Sequence, residues 1–233
     1  MVQKAFKPLK GESWLRSDDK RQMDVILARP LLMVSAPLLW GARLAIRYVD
    51  GFDPNFQQLR GGKEGEEIEI HKLRTMSPTA EITIGHGKSD RRASALGRFL
   101  RKTHIDELPQ LHDVIRGNMS LAGPRPIIAA AQEEVMDNLS PYEQKDWLWA
   151  RRVAKPGFAD PYAVRLYTGQ KCGGPRERAG SDIAYAATAT FGGDIAILSK
   201  AALVGLCAAN NVYVRSEQAI GIAEPQFAKH SYS

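Results

Sequence analysis

The chain has 233 residues, 44% of them apolar and 25% charged, with a net charge of +6. That is enough chain for one packed core and the composition of an ordinary folded protein, which excludes a disordered or low-complexity polymer. A sequence pI near 9.3 favours an anionic partner, whether nucleic acid, acidic lipid or a phosphorylated substrate.

The first twenty residues read as a basic arm, with Lys4, Lys7, Lys10, Arg16 and Lys20, and no cleavable apolar region begins there. Next comes an apolar run from Val25 to Ile46 that carries Arg29, Arg43, Pro30 and Pro37. Residues 30–42 are uncharged; as a helix they cover roughly 20 Å, short of a hydrocarbon core of roughly 30 Å. Pro37 removes a backbone donor and is expected to kink or break the helix, and Ser35 is placed to bond a freed carbonyl. A helix entering one leaflet and returning to the same side fits these residues, with Arg29 and Arg43 reaching the headgroups and Trp40 near the interface. A buried core helix and a complete span fit them as well.

Beyond Gly51, Phe56–Arg60 and Glu67–Arg74 flank a glycine turn, Gly61–Gly65, and read as two short strands. Met76 to Lys88 is loop-like. Arg92–Arg101 has Leu96, Phe99 and Leu100 at helical spacing among basic residues, which predicts a basic amphipathic helix. A second helix is expected from Ile105 to Arg116, stopped by Gly117. Ser140-Pro-Tyr-Glu143 is a capping box with proline at the first helical position, so a third helix runs from Pro141 to about Arg152. Its Trp147 and Trp149, with Lys145, Arg151 and Arg152, suit a membrane interface. Residues 158–180 read as irregular, and a last helix is expected from Asp194 to Ala209.

Cys172 and Cys207 lie far apart with no metal-ligand spacing, and the five histidines show no zinc-type spacing. The cysteine pattern points to a reduced, cytosol-facing location. The chemistry is concentrated elsewhere. Thr103 precedes Asp106 by three residues, as an N-cap precedes an acidic third position, and this places Asp106 and Glu107 in a first helical turn. The helix dipole there favours ionised carboxylates and can hold a phosphate. An ionised aspartate is an oxygen nucleophile toward phosphorus, and magnesium is held by one or two carboxylates plus substrate oxygens. Pro124-Arg125-Pro126 fixes an arginine on stiff backbone, suited to clamping phosphate oxygens. On residue chemistry alone this pattern stays open between a phosphoryl site and an ordinary acidic first turn.

Five segments in order carry a resemblance: Lys20-Arg-Gln-Met-Asp24 with the apolar run behind it, His71-Lys-Leu-Arg-Thr-Met76, Leu96–Leu111, Gly117–Pro126 and Arg151-Arg-Val-Ala-Lys-Pro-Gly157. They resemble the bacterial sugar transferase family, the monotopic phosphoglycosyl transferases of small form. Asp182, Tyr185 and Asp194–Leu198 match loosely. The resemblance implies an α/β fold, mainly helical with a few short strands. A re-entrant membrane helix and amphipathic interfacial helices would surround a small catalytic domain. The expected organisation is an arm over 1–20, the membrane helix over 21–50, the catalytic domain over 51–215 and a tail over 216–233.

The resemblance also implies transfer of a sugar 1-phosphate from a UDP-sugar to polyprenyl (undecaprenyl) phosphate. The reaction would start surface glycan synthesis such as that of an exopolysaccharide, at the cytoplasmic face of the bacterial inner membrane among anionic lipids. Asp106 matches the nucleophile, and Glu107 the partner acid that helps it hold Mg2+. Arg125 matches the phosphate-contacting arginine, Lys72, Arg74 and Arg101 match basic positions facing the same site, and Ser35 and Pro37 mark the bend of the membrane helix. The chain departs from the family pattern in four places. Ser35-Ala-Pro37 replaces an adjacent Ser-Pro, and Asn118 replaces an aspartate. Phe158-Ala-Asp160 replaces Ile-Thr-Gly, and an aromatic Asn-Trp-Ser segment is missing near Thr188–Gly193. A nucleic-acid binder is the competing class for residues 92–117, but Asp106, Glu107 and Asp113 would repel phosphates from the recognition helix. A non-catalytic membrane-surface scaffold is the other alternative.

Overall fold

The computed structural model describes residues 10–78, 93–167 and 173–209. The first nine residues of the arm, the loop beyond Pro78, Arg91 and Arg92, Cys172 and the tail lie outside them. Helix α1 (Lys10–Leu15) leads into the long α2 (Asp18–Ala45). Strands β1 (Asn55–Gly61) and β2 (Glu67–Leu73) form an antiparallel hairpin in which Phe56 faces Lys72 and Arg60 faces Ile68. Then come α3 (Ala95–Lys102), α4 (Gln110–Arg116), β3 (Ser120–Ala122), α5 (Ala129–Asp137), α6 (Pro141–Val153), β4 (Gly157–Ala159), α7 (Pro161–Tyr167), α8 (Pro175–Thr188) and α9 (Phe191–Ala209). The fold is α/β, mainly helical with short strands, as the sequence predicts.

Helix α2 begins where Ser17 accepts a hydrogen bond from the Lys20 amide, with Asp18 and Asp19 in its first turn. It is helical through both Pro30 and Pro37, so Pro37 does not end it. The Ser35 hydroxyl donates to the Leu32 carbonyl at 3.1 Å, one residue before the Met33 carbonyl that Pro37 leaves without its helical donor. One stripe of α2 is buried: Lys20, Met23, Asp24 and Ala28 near its start, Leu39 and Ala42 near its end, continued by Ile46. The opposite stripe presents Ile26, Leu31, Met33, Val34, Leu38 and Trp40 to the outside. Asp18–Asp50 is long and apolar enough to cross a membrane, yet only 17% of its most apolar stretch is buried. That fraction is too small for the core helix of a soluble protein.

The arm is not loose throughout. Gly11 of α1 sits against the backbone of Ala186–Thr188 in α8, where a Cβ would overlap it. Residues 158–167 and 173–180, expected to be irregular, form β4, α7 and the start of α8. Their helical signals were a proline at the start of α7 and another at the start of α8. The parallel β3–β4 pair exists because two glycines let the strands meet: a Cβ on Gly157 would overlap the Gly123 backbone. Gly157→Ala is therefore expected to lower the thermal midpoint by 10 °C or more (roughly 3–5 kcal/mol for a steric overlap with no flexible neighbour), read by differential scanning calorimetry.

Candidate active site

Asp106 and Glu107 do not open an α-helix. Thr103 closes α3, donating its hydroxyl to the Phe99 and Leu100 carbonyls at 2.9 and 3.2 Å, so it caps nothing downstream. His104 then takes a left-handed conformation, with φ of 57°, and Ile105–Glu107 form a single tight 3₁₀ turn before α4. Such a conformation costs a histidine on the order of 1 kcal/mol. It is held because Ile105 and Leu108, on either side of the dyad, pack into the cluster formed by Leu39, Ala42, Ile46, Leu73 and Leu100. The dyad is thus fastened directly to the long apolar helix.

The two carboxylates have opposite environments. Asp106 is buried, and no hydrogen bond reaches its carboxylate from any described residue. Burial, then the Glu107 charge, pushes its carboxyl up to about 6, against the pull of Lys72, His104 and Arg101. Burial would raise Glu107 too, but the charges of Lys72 and Arg125 outweigh it and hold this carboxyl well below its usual range. Glu107 Oε1 accepts from Lys72 Nζ at 2.7 Å and from Arg125 at 3.2 Å, and His104 Nδ1 lies 3.7 Å from Oε2. Lys72, Arg125 and the dyad therefore converge as expected. Arg101 donates to Thr75 Oγ1 at 2.7 Å while its charge acts on Asp106. Arg74 is engaged by the loop before β1, donating to the Asp53 and Asn55 carbonyls and covering the Phe56 ring. Ser35 and Pro37 lie on α2.

A cleft beside the dyad is lined by Arg60, Lys72, Glu107, Gln110, Arg125, Pro126, Gly157 and Phe158. Two residues that shape it were not assigned to the site in the sequence reading: Arg60, and Arg151, which was expected with Trp147 at a membrane interface although both are buried. Arg60 shares the Lys72 face of the hairpin, as the period-two alternation Phe56, Gln58, Arg60 indicates. Arg151 is buried on α6, and its two terminal nitrogens donate to the Arg125 carbonyl at 3.1 Å and the Gly61 carbonyl at 3.3 Å. Asp182 of α8 lies 3.6 Å from Arg151 and accepts the Trp147 indole hydrogen at 2.9 Å. The Arg151-Arg152 motif was visible in the sequence, but the two backbone carbonyls that it staples together were not.

A carboxylate with no hydrogen bond from the described residues, an acidic partner held ionised by two cations, and a basic cleft beside them suit an enzyme that handles phosphate-bearing substrates. A sequence model described as bacterial sugar transferase matches residues 15–208, and the chain belongs to that family. A UDP-glucose:undecaprenyl-phosphate glucose-1-phosphate transferase of Caulobacter vibrioides is 35% identical over 198 residues, covering 83% of this chain and 72% of the relative. The protein so named in Escherichia coli K12 is 33% identical, over 70% of this chain and 34% of its own length. An undecaprenyl-phosphate galactose phosphotransferase of Salmonella typhimurium is 30% identical, over 80% of this chain and 40% of its own length. The chain thus spans less than half of these last two relatives. Family membership makes it a transferase of phosphosugar groups.

Proposed function

We propose that the protein transfers a sugar 1-phosphate from a UDP-sugar to undecaprenyl phosphate at the cytoplasmic face of the bacterial inner membrane, as a first step in exopolysaccharide or related surface glycan synthesis. The observation that carries this reading is the contrast within the dyad. Asp106 is desolvated and without hydrogen bonds, as suits a nucleophile, while Glu107 stays ionised between Lys72 and Arg125. An Asp106 oxygen forms a bond to the β-phosphorus of the donor, the bond to the bridging oxygen breaks, and UMP leaves. An oxygen of undecaprenyl phosphate then attacks the same phosphorus, and Asp106 departs as a carboxylate.

Asp106 and Glu107 are the residues that would hold Mg2+: no described residue donates a hydrogen bond to the Asp106 carboxylate, and magnesium needs only one or two carboxylates besides substrate oxygens. Bound between them, the ion would supply positive charge against the donor diphosphate. Arg125 and Lys72 orient phosphate oxygens from the cleft side, and Arg101 adds positive potential on the Asp106 side.

The exposed apolar stripe of α2, in which Ser35 and Pro37 lie, supports insertion into one leaflet. Packing of Ile105 and Leu108 on α2 then keeps the dyad at headgroup depth, where the acceptor phosphate lies. Radiolabelled UDP-glucose and undecaprenyl phosphate, with magnesium, are expected to give a labelled lipid and UMP in equal amounts. UMP release without acceptor, limited to one equivalent per enzyme, would mark the covalent step. No lipid product and no UMP from any of a panel of UDP-sugars would overturn the proposal in favour of a non-catalytic membrane scaffold.

A further inference from the structure

Among the residues lining the cleft, three cations, Arg60, Lys72 and Arg125, face one carboxylate, Glu107. Lys72 and Arg125 are matched by that carboxylate, but Arg60 is not. Its only side-chain hydrogen bond among the described residues runs to its strand neighbour Gln58, and its Nε is buried with no partner. Burial, and then the charge of Arg125, lower its pKa to about 10, with Glu107 opposing. The backbone beneath it is fixed: the Gly61 amide donates to the Ile127 carbonyl at 2.9 Å, and Arg151 ties the Gly61 and Arg125 carbonyls together. Two arginines that repel each other are thus held side by side above an open cleft, an arrangement an anion would complete.

We propose that Arg60 is a second phosphate-binding arginine, which with Arg125 grips the nucleotide-side phosphate of the donor diphosphate and stays with it as UMP leaves. The inference rests on the phosphosugar-transfer reading above. The donor is favoured over the lipid acceptor by position. Strand β1 starts beside α2, where Arg43 donates to Asn55 at 3.4 Å. Arg60 lies five residues further along, roughly 17 Å away at about 3.3 Å per residue. The acceptor arrives along α2, whereas Arg60 sits at the far end of the hairpin, open to a soluble nucleotide.

The test uses the full chain in nanodiscs, with Arg60→Gln and Arg60→Lys beside the parent. UDP, UMP and a short-chain polyprenyl phosphate serve as separate probes for calorimetric binding and thermal shift. Arg60→Gln is expected to bind UDP and UMP at least tenfold more weakly and polyprenyl phosphate within twofold of the parent. Without ligand it should melt at the same or a higher temperature, since a repelled cation and an unpaired donor are removed. Arg60→Lys should recover part of the UMP affinity, because it restores the charge but not the fork. Unchanged UDP affinity in Arg60→Gln, or a loss confined to polyprenyl phosphate, would overturn the assignment. So would a lower ligand-free melting temperature with nucleotide binding intact. If the parent binds neither UDP nor UMP, the failure lies with the phosphosugar-transfer reading itself; if the parent binds both and Arg60→Gln binds them equally, only Arg60 is misassigned.

Discussion

Replacing Asp106 with Asn is expected to abolish lipid-linked product while making the ligand-free protein more stable. Catalysis should fall by roughly 10³-fold or more, because the amide cannot form the phosphosugar ester. The stability change has the opposite sign to that of an ordinary buried-residue substitution. Folding raises the Asp106 carboxyl from its usual 3.8 to about 6, by burial first and the Glu107 charge second. A raised carboxyl pKa means that the folded state prefers the proton. Its contribution is fully favourable below pH 4 and is lost as pH rises through 6. At pH 8 the ionised side chain therefore opposes folding by about 3 kcal/mol, two pKa units at about 1.4 kcal/mol each. Asp106→Asn, isosteric and neutral, should recover most of this at pH 8 and little at pH 4, as read by denaturant unfolding at both values. Attack requires the ionised carboxylate, so single-turnover UMP release should fall as pH is lowered and Asp106 takes its proton. Full activity in Asp106→Asn would remove Asp106 as nucleophile, and equal destabilisation at both pH values would show that its charge is not under strain.

The dyad shows which features of this protein a sequence discloses. Asp106-Glu107 and Pro124-Arg125-Pro126 could be picked out because their chemistry is local, but that chemistry alone fits an ordinary acidic first turn as well; the ordered family-like segments around them pointed to phosphate handling. The capping box of α6 and the β1–β2 hairpin were legible for the same reason, since their determinants lie within a few residues of one another. The backbone around the dyad was misread. The Thr103 spacing fits an N-cap, but whether a hydroxyl caps forward or back depends on the residue that breaks the chain. Here a left-handed His104 is held in place by packing on α2, some sixty residues earlier. Residues 158–167 were misread in another way, because β4 owes its existence to Gly123 across the sheet and not to any strand-forming pattern of its own. Arg60 meets Arg125, and Arg151 the Gly61 carbonyl, across roughly 65 and 90 residues of sequence, a juxtaposition no local pattern displays.

Lys20→Met is expected to cause the largest loss of stability of any single substitution on α2, about 3–5 kcal/mol. That corresponds to a fall of roughly 10 °C in the thermal midpoint for a chain of this length. Lys20 is buried, and its ammonium lies 3.0 Å from Asp24 Oδ1 and 2.9 Å from Asp194 Oδ2. Asp24 also accepts the Leu121 amide of β3. Asp194 accepts the Trp14 indole hydrogen at 2.8 Å, and the Tyr185 hydroxyl lies 2.9 Å from its other oxygen. One cation thus joins α1, α2, β3, α8 and α9, and both carboxylates it neutralises are almost wholly enclosed. Methionine fills the volume of the lysine stem but leaves two buried anions facing each other, which is the costly way to break such a network. Neutralising one of them should recover much of the loss: Lys20→Met with Asp24→Asn is expected to melt several degrees above Lys20→Met alone, since Asn still accepts from Leu121. If the single and double variants melt together, the network is not electrostatic in origin and Lys20 contributes only its stem. Function should suffer as well, because α2 carries both the apolar stripe and the surface against which Ile105 and Leu108 fix the dyad. On the proposed two-step mechanism, loosening α2 at its base should lower the rate of lipid-linked product formation by more than the rate of UMP release, since there only the second step would need the site held at the depth of a membrane-bound phosphate.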